Sequence, residues 1–185
     1  MTTTKWVLDP THSELQFKIK HLMISTVTGQ FGVFKATVET TGDNFDTARI
    51  DFEADIDSIS TNNEQRDAHL KAADFFDAAN HPRITFKGEN LVAKDNDEYE
   101  LNGLLTIKGI TKPVTLDVEL GGIVQDPWGN TRAGFSIKGK INRKDFGVSF
   151  SMVSETGGLL LGDDVKILGN AEFVKEVQPE VLAVA

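Results

Sequence analysis

The sequence predicts an all-β domain of about eight antiparallel strands, with one or two short helices inserted near residues 64–78. Three observations carry this. Apolar and polar residues alternate with period two over many segments, which places one face of an extended chain in a core and the other in water. Turn-forming clusters separate several of these segments. One Ala-rich stretch, 60–80, breaks the alternation and offers Asn and Thr as helix caps, with Pro82 to end it.

The strands follow in order. Leu15, Phe17 and Ile19 alternate with Gln16, Lys18 and Lys20. Residues 27–39 read as one long strand whose apolar register shifts between Phe31 and Phe34, and a bulge near Gly32 explains the shift. Ile50, Phe52, Ala54 and Ile56 alternate with acids. Ile84 and Phe86 open another strand, and Tyr99, Leu101, Leu105 and Ile107 mark the next. Val114, Leu116, Val118 and Leu120 form a series, as do Phe135, Ile137 and Ile141, and Val165, Ile167, Ala171 and Phe173 close the set. Turns are expected at 41–44, 95–97 and 126–130, and a tight hairpin at Gly109. A further helical turn fits 142–147, and a loop fits Gly157, Gly158 and Gly162. No linker divides the chain, so one domain is expected over 6–176 with a tail at 177–185.

Such strands bury one face either by closing into a barrel or by pairing as a sandwich. A barrel removes the edges that strands as long as 27–39 and 112–124 would expose, and 16 glycines offer places to bend. Eight strands enclose enough room for one small ligand. Phe supplies 12 of the 15 aromatic residues, so the interior is apolar with few polar handles. From composition alone, a solid Phe-filled core is the commoner outcome.

Charge and composition exclude several functions. The net charge of −9 and pI near 4.9 argue against nucleic acid as a partner and against electrostatic docking on anionic headgroups. No apolar run reaches the roughly 20 residues of a membrane-spanning helix. With no cysteine, disulfides, zinc–thiolate sites and thiol catalysis are ruled out. The N-terminal residues lack a secretory pattern, so the chain as given reads as cytoplasmic; a mature periplasmic or secreted protein whose signal was removed would look similar.

Few residues suggest chemistry. The histidines His12, His21, His69 and His81 lack the spacing that puts two ligands on one helix face. A metal site through His12, Asp9 or His69 is geometrically open, but none is expected, and no cofactor motif is read. Asp67 could orient His69 as an acid–base pair, yet no nucleophile elbow accompanies them. The structural alternative is that Arg66 and Asp67 pair with loops and fix the helix over one barrel end. Gly103 and Gly109 flank a strand with no helix after it, which speaks against a phosphate loop. Asp95 and Asp97 lack the central Gly of a calcium loop.

Longer stretches resemble a known family. They include Trp6-Val7-Leu8-Asp9-Pro10-Thr11-His12-Ser13, His21 to Phe31, Ser58-Ile59-Ser60-Thr61-Asn62-Asn63 and Arg66-Asp67-Ala68-His69-Leu70-Lys71. Asp74-Phe75-Phe76-Asp77, His81-Pro82-Arg83-Ile84-Thr85-Phe86, Gly103 to Val114 and Ile141-Asn142-Arg143-Lys144-Asp145-Phe146-Gly147 continue the series. In this order they resemble the YceI-like family of polyisoprenoid-binding, lipocalin-like proteins over about residues 6–175. The G-x-W of true lipocalins is absent; Thr4-Lys5-Trp6 stands in its place.

The resemblance implies an extended antiparallel β-barrel with a hydrophobic channel, holding a long-chain isoprenoid or similar amphiphilic lipid without catalysis. Isoprenoid quinone, polyprenyl phosphate or pyrophosphate, and fatty-acid-like lipids are the implied partners, with a monomer or homodimer equally compatible. Under that reading the lining is Phe17, Ile19, Phe31, Phe34, Phe52, Ile56, Leu105, Leu116, Phe135 and Ile137, with lid candidates Met23, Phe75, Phe76 and Phe146. Arg66, His69, Lys71 and Arg143 are head-group candidates by charge. They are equally candidates to pair with Asp67, Asp74 or Asp145. The alternative is a hydrolase or other enzyme acting on such a lipid, with His69 and Asp67 as acid–base pair or His12 as base.

Overall fold

The computed structural model describes residues 2–151 and 160–177. Its strands are β1 (Thr3–Leu8), β2 (Glu14–His21), β3 (Ser25–Phe31), β4 (Phe34–Thr41), β5 (Asn44–Asp55) and β6 (Ile59–Ser60). After helix α1 (Glu64–Lys71) come β7 (Arg83–Asp95), β8 (Glu98–Ile107), β9 (Ile110–Gln125), β10 (Thr131–Asn142) and β11 (Leu161–Lys175). From β4 the antiparallel order runs β5, β7, β8, β9, β10, β11, and β1 joins β11 back to β4. The sheet therefore closes on itself as an eight-stranded barrel, which leaves no long edge exposed.

Three of these strand positions are interrupted side by side. β1 jogs into β2 across 9–13, β3 into β4 at Gly32 and Val33, and β5 into β6 through a 3-10 turn at Ile56–Ser58. Pairing continues beyond each break, β2 with β3 and β11, and β3 with β6. Local chemistry explains two of the jogs. Asp9 accepts the Thr11 N–H at 3.0 Å ahead of Pro10, which starts a single 3-10 turn. Gly32 N–H leaves the strand ladder to donate to the Ser58 carbonyl at 3.1 Å. The expected bulge near Gly32 is thus a full break, and it is why Phe31 and Phe34, three apart, both face inward.

The turns fall where the sequence placed them. Lys108 and Gly109 have φ of 53° and 76°, the geometry of a tight hairpin that suits glycine. Arg143–Phe146 form a 3-10 helix ended by Gly147 at φ 71°. One helix forms rather than two: α1 is capped by the Asn63 side chain, which accepts from Arg66 N–H at 2.9 Å, and turns follow it. Gly162 corrects the loop expectation, since it is buried within β11 against Lys20. Gly157 and Gly158, and the tail from 178, lie outside the described residues. No helix among the described residues is long and apolar enough to cross a membrane.

The 41–44, 95–97 and 126–130 turns share one barrel end. The other end carries the β2–β3 turn, α1, the 108–109 hairpin and the 143–146 turn.

Candidate functional site

The barrel strands send their apolar sets inward. Above one end of the barrel these sets do not meet. They surround a cavity of about 500 Å³ whose wall is almost wholly hydrocarbon.

The cavity has a sealed floor. Trp6 is fully buried beneath it and donates its indole N–H to Thr40 Oγ1 at 3.2 Å. Its ring lies 5.0 Å from Phe45, which meets Phe135 edge-on at 5.1 Å, and Phe135 meets Phe173 at 6.0 Å. Aromatic contacts of this kind hold the floor rigid. Mid-barrel, Phe17 packs on Phe31 and Phe34 on Phe52. Two glycines make room for these rings. A Cβ on Gly29 would penetrate the Phe17 ring, and one on Gly103 would penetrate Phe86.

The opposite end is more open. Ile19, Val27, Phe150, Leu160 and Leu161 line the cavity there and are only half-buried. α1 lies across part of this end. It has no fully buried residue; Leu70 packs against the core, and polar contacts hold the rest. Asp67 Oδ1 accepts from Thr61 N–H at 2.8 Å and from its hydroxyl at 2.6 Å. Arg66 donates to the Thr61 hydroxyl and carbonyl, each at 2.7 Å. The fold thereby brings Leu70, Phe75 and Phe76 onto the cavity wall.

The sequence-predicted residues divide clearly. Phe17, Ile19, Phe31, Phe34, Phe52, Leu105, Leu116, Phe135 and Ile137 lie on the wall, as do Phe75, Phe76 and Phe146 at the open end. Ile56 does not: it sits in the 3-10 turn, 1% exposed, and packs into the core behind the wall. Met23 does not either, because it occupies the β2–β3 turn, 62% exposed. Of the cations, Arg66, His69 and Arg143 reach the cavity and Lys71 does not. The expectation passed over Phe45, Phe86, Phe150 and Phe173. Phe86 and Phe173 were visible in the alternation; Phe45 sits three residues from buried Ala48 and escapes a period-two reading.

The acid–base pair does not assemble. His69 Nε2 lies 3.2 Å from Asp74, its ring edge-on to Phe75 and Phe150, while both Asp67 contacts go to Thr61. Arg143 is 4% exposed and donates to three backbone carbonyls, of Gly162, Val148 and Phe150. Burial lowers its pKa, and Asp163 nearby opposes that shift.

A second charged cluster sits where β1 jogs into β2. Single ligand atoms of Asp9, His12 and Glu172 lie close enough together for a cation. Arg132 already supplies the positive charge, 2.9 Å from Asp9 and Glu172 and 2.7 Å from Asp126. Hydrogen bonding to Arg132 holds the Asp126 carboxyl down to about 2. Thr11, then His12, then Arg132 hold Asp9 well below the usual carboxylate range. His12 bonds Asp9 at 2.9 Å and is taken up by this network, away from the cavity.

The YceI-like domain model matches residues 6–173. The chain belongs to the YceI-like family. A UPF0312 protein of Staphylococcus aureus is 43% identical over 171 residues, spanning 92% of this chain and 97% of that one. The crystal structure of the Campylobacter jejuni YceI protein superposes with a TM-score of 0.71 at 34% identity, covering 87% of this chain and 91% of that one. A Saccharophagus degradans domain described as polyisoprenoid-binding has the same fold, with a TM-score of 0.69 at 16% identity over 92% of this chain and 98% of its own.

Proposed function

We propose that this YceI-like barrel binds one long-chain lipid of isoprenoid type in its cavity and carries it unchanged. The observation that supports this most is the cavity itself, about 500 Å³ and almost wholly apolar. Apolar wall left facing water costs about 25 cal/mol per Å². A resident chain removes that cost. Each buried CH₂ contributes about 0.8 kcal/mol, so a long hydrocarbon binds there without polar contacts. The name of the Saccharophagus degradans relative points to the same ligand class.

The sealed aromatic floor favours entry tail-first from the open end. Arg66, His69 and Arg143 at that end would then meet a polar or anionic head. Isoprenoid quinones, polyprenyl phosphates and fatty-acid-like lipids all fit this arrangement. The unchanged-carrier reading is supported by His69 and Asp67 having separate partners.

Delipidated protein titrated with a polyprenyl phosphate, followed by gel filtration and extraction, tests this. Saturation at one lipid per chain is expected. Ala36→Trp, which places an indole in the cavity from a wall position, is expected to abolish uptake while the protein stays folded. Equal uptake by this variant would place the lipid elsewhere and overturn the reading.

A further inference from the structure

We infer that the β2–β3 turn and a row of lysines beside it dock this protein on an anionic lipid bilayer, with the open end of the cavity toward the membrane. The inference rests on the lipid-carrier reading for its purpose, but its observations are separate.

The turn is a solvent-facing apolar tip. Leu22, Met23 and Ile24 are consecutive and 38%, 62% and 82% exposed. Leu22 and Met23 have φ of 53° and 61°, a left-handed pair that a tight hairpin ordinarily fills with Asn-Gly. Met23 gains nothing from that backbone, and Met23 and Ile24 gain little from burial at this position. Strain and exposure together mark a functional surface. The tip adjoins the cavity: His21 precedes it on the wall, and Leu22 N–H donates at 2.9 Å to the carbonyl of Leu160, also on the wall.

The lysines lie on the outer face of β2 and of β11 and β10 beside it. Lys18 is flanked by Phe17 and Ile19, which both line the cavity, so it points out. Across the sheet Lys18 stands opposite Lys166, and Lys166 opposite Lys140. Lys20 follows on β2 toward the tip. Like charges directly opposed destabilise a sheet, so this row is not there for the barrel's sake. Asp164, 4.0 Å from Lys140, offsets part of it, and Asp163 pairs with Lys144. On β8 and β9 acids stand opposite one another, Glu98 with Glu119 and Glu100 with Asp117, and Lys94 bridges the second pair. The net charge of −9 therefore hides a local basic row that borders the apolar tip. Anionic headgroups attract such a cluster.

A rival patch exists at the other end. Ile123, Val124 and Trp128 are exposed there, but the buried floor separates them from the cavity.

Flotation with vesicles tests the inference. Wild-type protein is expected to bind phosphatidylcholine–phosphatidylglycerol vesicles, and to bind phosphatidylcholine alone more weakly. Met23→Ser with Ile24→Ser, and separately Lys18→Gln with Lys166→Gln, are each expected to lower the bound fraction roughly tenfold. Trp128→Ser is expected to change nothing. Uptake of polyprenyl phosphate supplied from detergent is expected to be unaffected in all of these variants. Wild-type protein that takes up lipid from detergent yet ignores both vesicles would overturn the docking and leave the carrier reading standing. Loss of binding in Trp128→Ser alone would also overturn it, by moving contact to the opposite end. A dimer broken by Ile24→Ser, with no vesicle binding, would assign the tip to a second copy and overturn it too. Vesicle binding that depends on the tip, with no uptake from detergent, would support the docking and sink the carrier reading.

Discussion

Trp6 shows what a single residue contributes to this barrel. It has no exposed surface, it underlies the aromatic floor, and its N–H has one partner, the Thr40 hydroxyl. Trp6→Phe keeps most of the packing and loses the bond, and a stability loss of about 1–2 kcal/mol in urea titration is expected. Trp6→Ala opens a cavity under the floor, with a loss of about 3–5 kcal/mol expected. Gly29 acts on the cavity rather than on stability alone. Any Cβ there collides with Phe17, which stands directly opposite on β2. Gly29→Ala is therefore expected to swing that ring into the cavity and weaken lipid uptake several-fold by titration, a change larger than its effect on melting. At this scale the sequence was informative where alternation was strict. Phe17, Ile19, Leu105 and Leu116 reach the wall because they sit mid-strand. Ile56 and Met23 lie off the wall for a common reason: each sits where the strand has ended, and apolar character no longer reports direction.

Among the elements, the jog between β1 and β2 is the most informative. Arg132 on β10 ties Asp9 in that jog to Glu172 on β11 and to Asp126 in the β9–β10 turn. The Asp126 and Asp9 carboxyls are held below their unfolded values, Asp126 at about 2. Their contribution is complete above the ordinary carboxylate pKa of about 4 and fades as pH falls, from about 4 to 2 for Asp126 and further down for Asp9. Arg132→Met is expected to lower the urea midpoint at neutral pH, because three acids then face one another. Below about pH 3 the gap from wild type is expected to narrow, as those acids protonate. A gap that stays constant down to that pH would rule the network out as the source of the acid sensitivity. None of this was legible in the chain. Arg132 and Asp9 are 123 residues apart, and only closure of the barrel brings them to 2.9 Å. The strand positions themselves were legible, apart from β1 and the two-residue β6, which are too short or irregular to alternate clearly.

For the whole molecule, the decisive property is that the barrel is hollow. Alternation names the buried face of a strand but is identical for a solid core and for a lined cavity. The family resemblance, not the periodicity, favoured the hollow reading, and above the floor the inward sets stop short of one another to leave about 500 Å³. Charge behaves similarly. A net charge of −9 argued against anionic membranes, yet pairing places Lys18, Lys166 and Lys140 in one row, a distribution that no average reveals. The most direct measurement of the hollow-carrier claim is the native mass of the protein as purified, followed by denaturation and lipid extraction. One lipid-sized mass per chain, with an isoprenoid-type fragment pattern, and its absence from Ala36→Trp, is the expected result. A native mass equal to the bare chain, unchanged after incubation with long-chain isoprenoids, would contradict it.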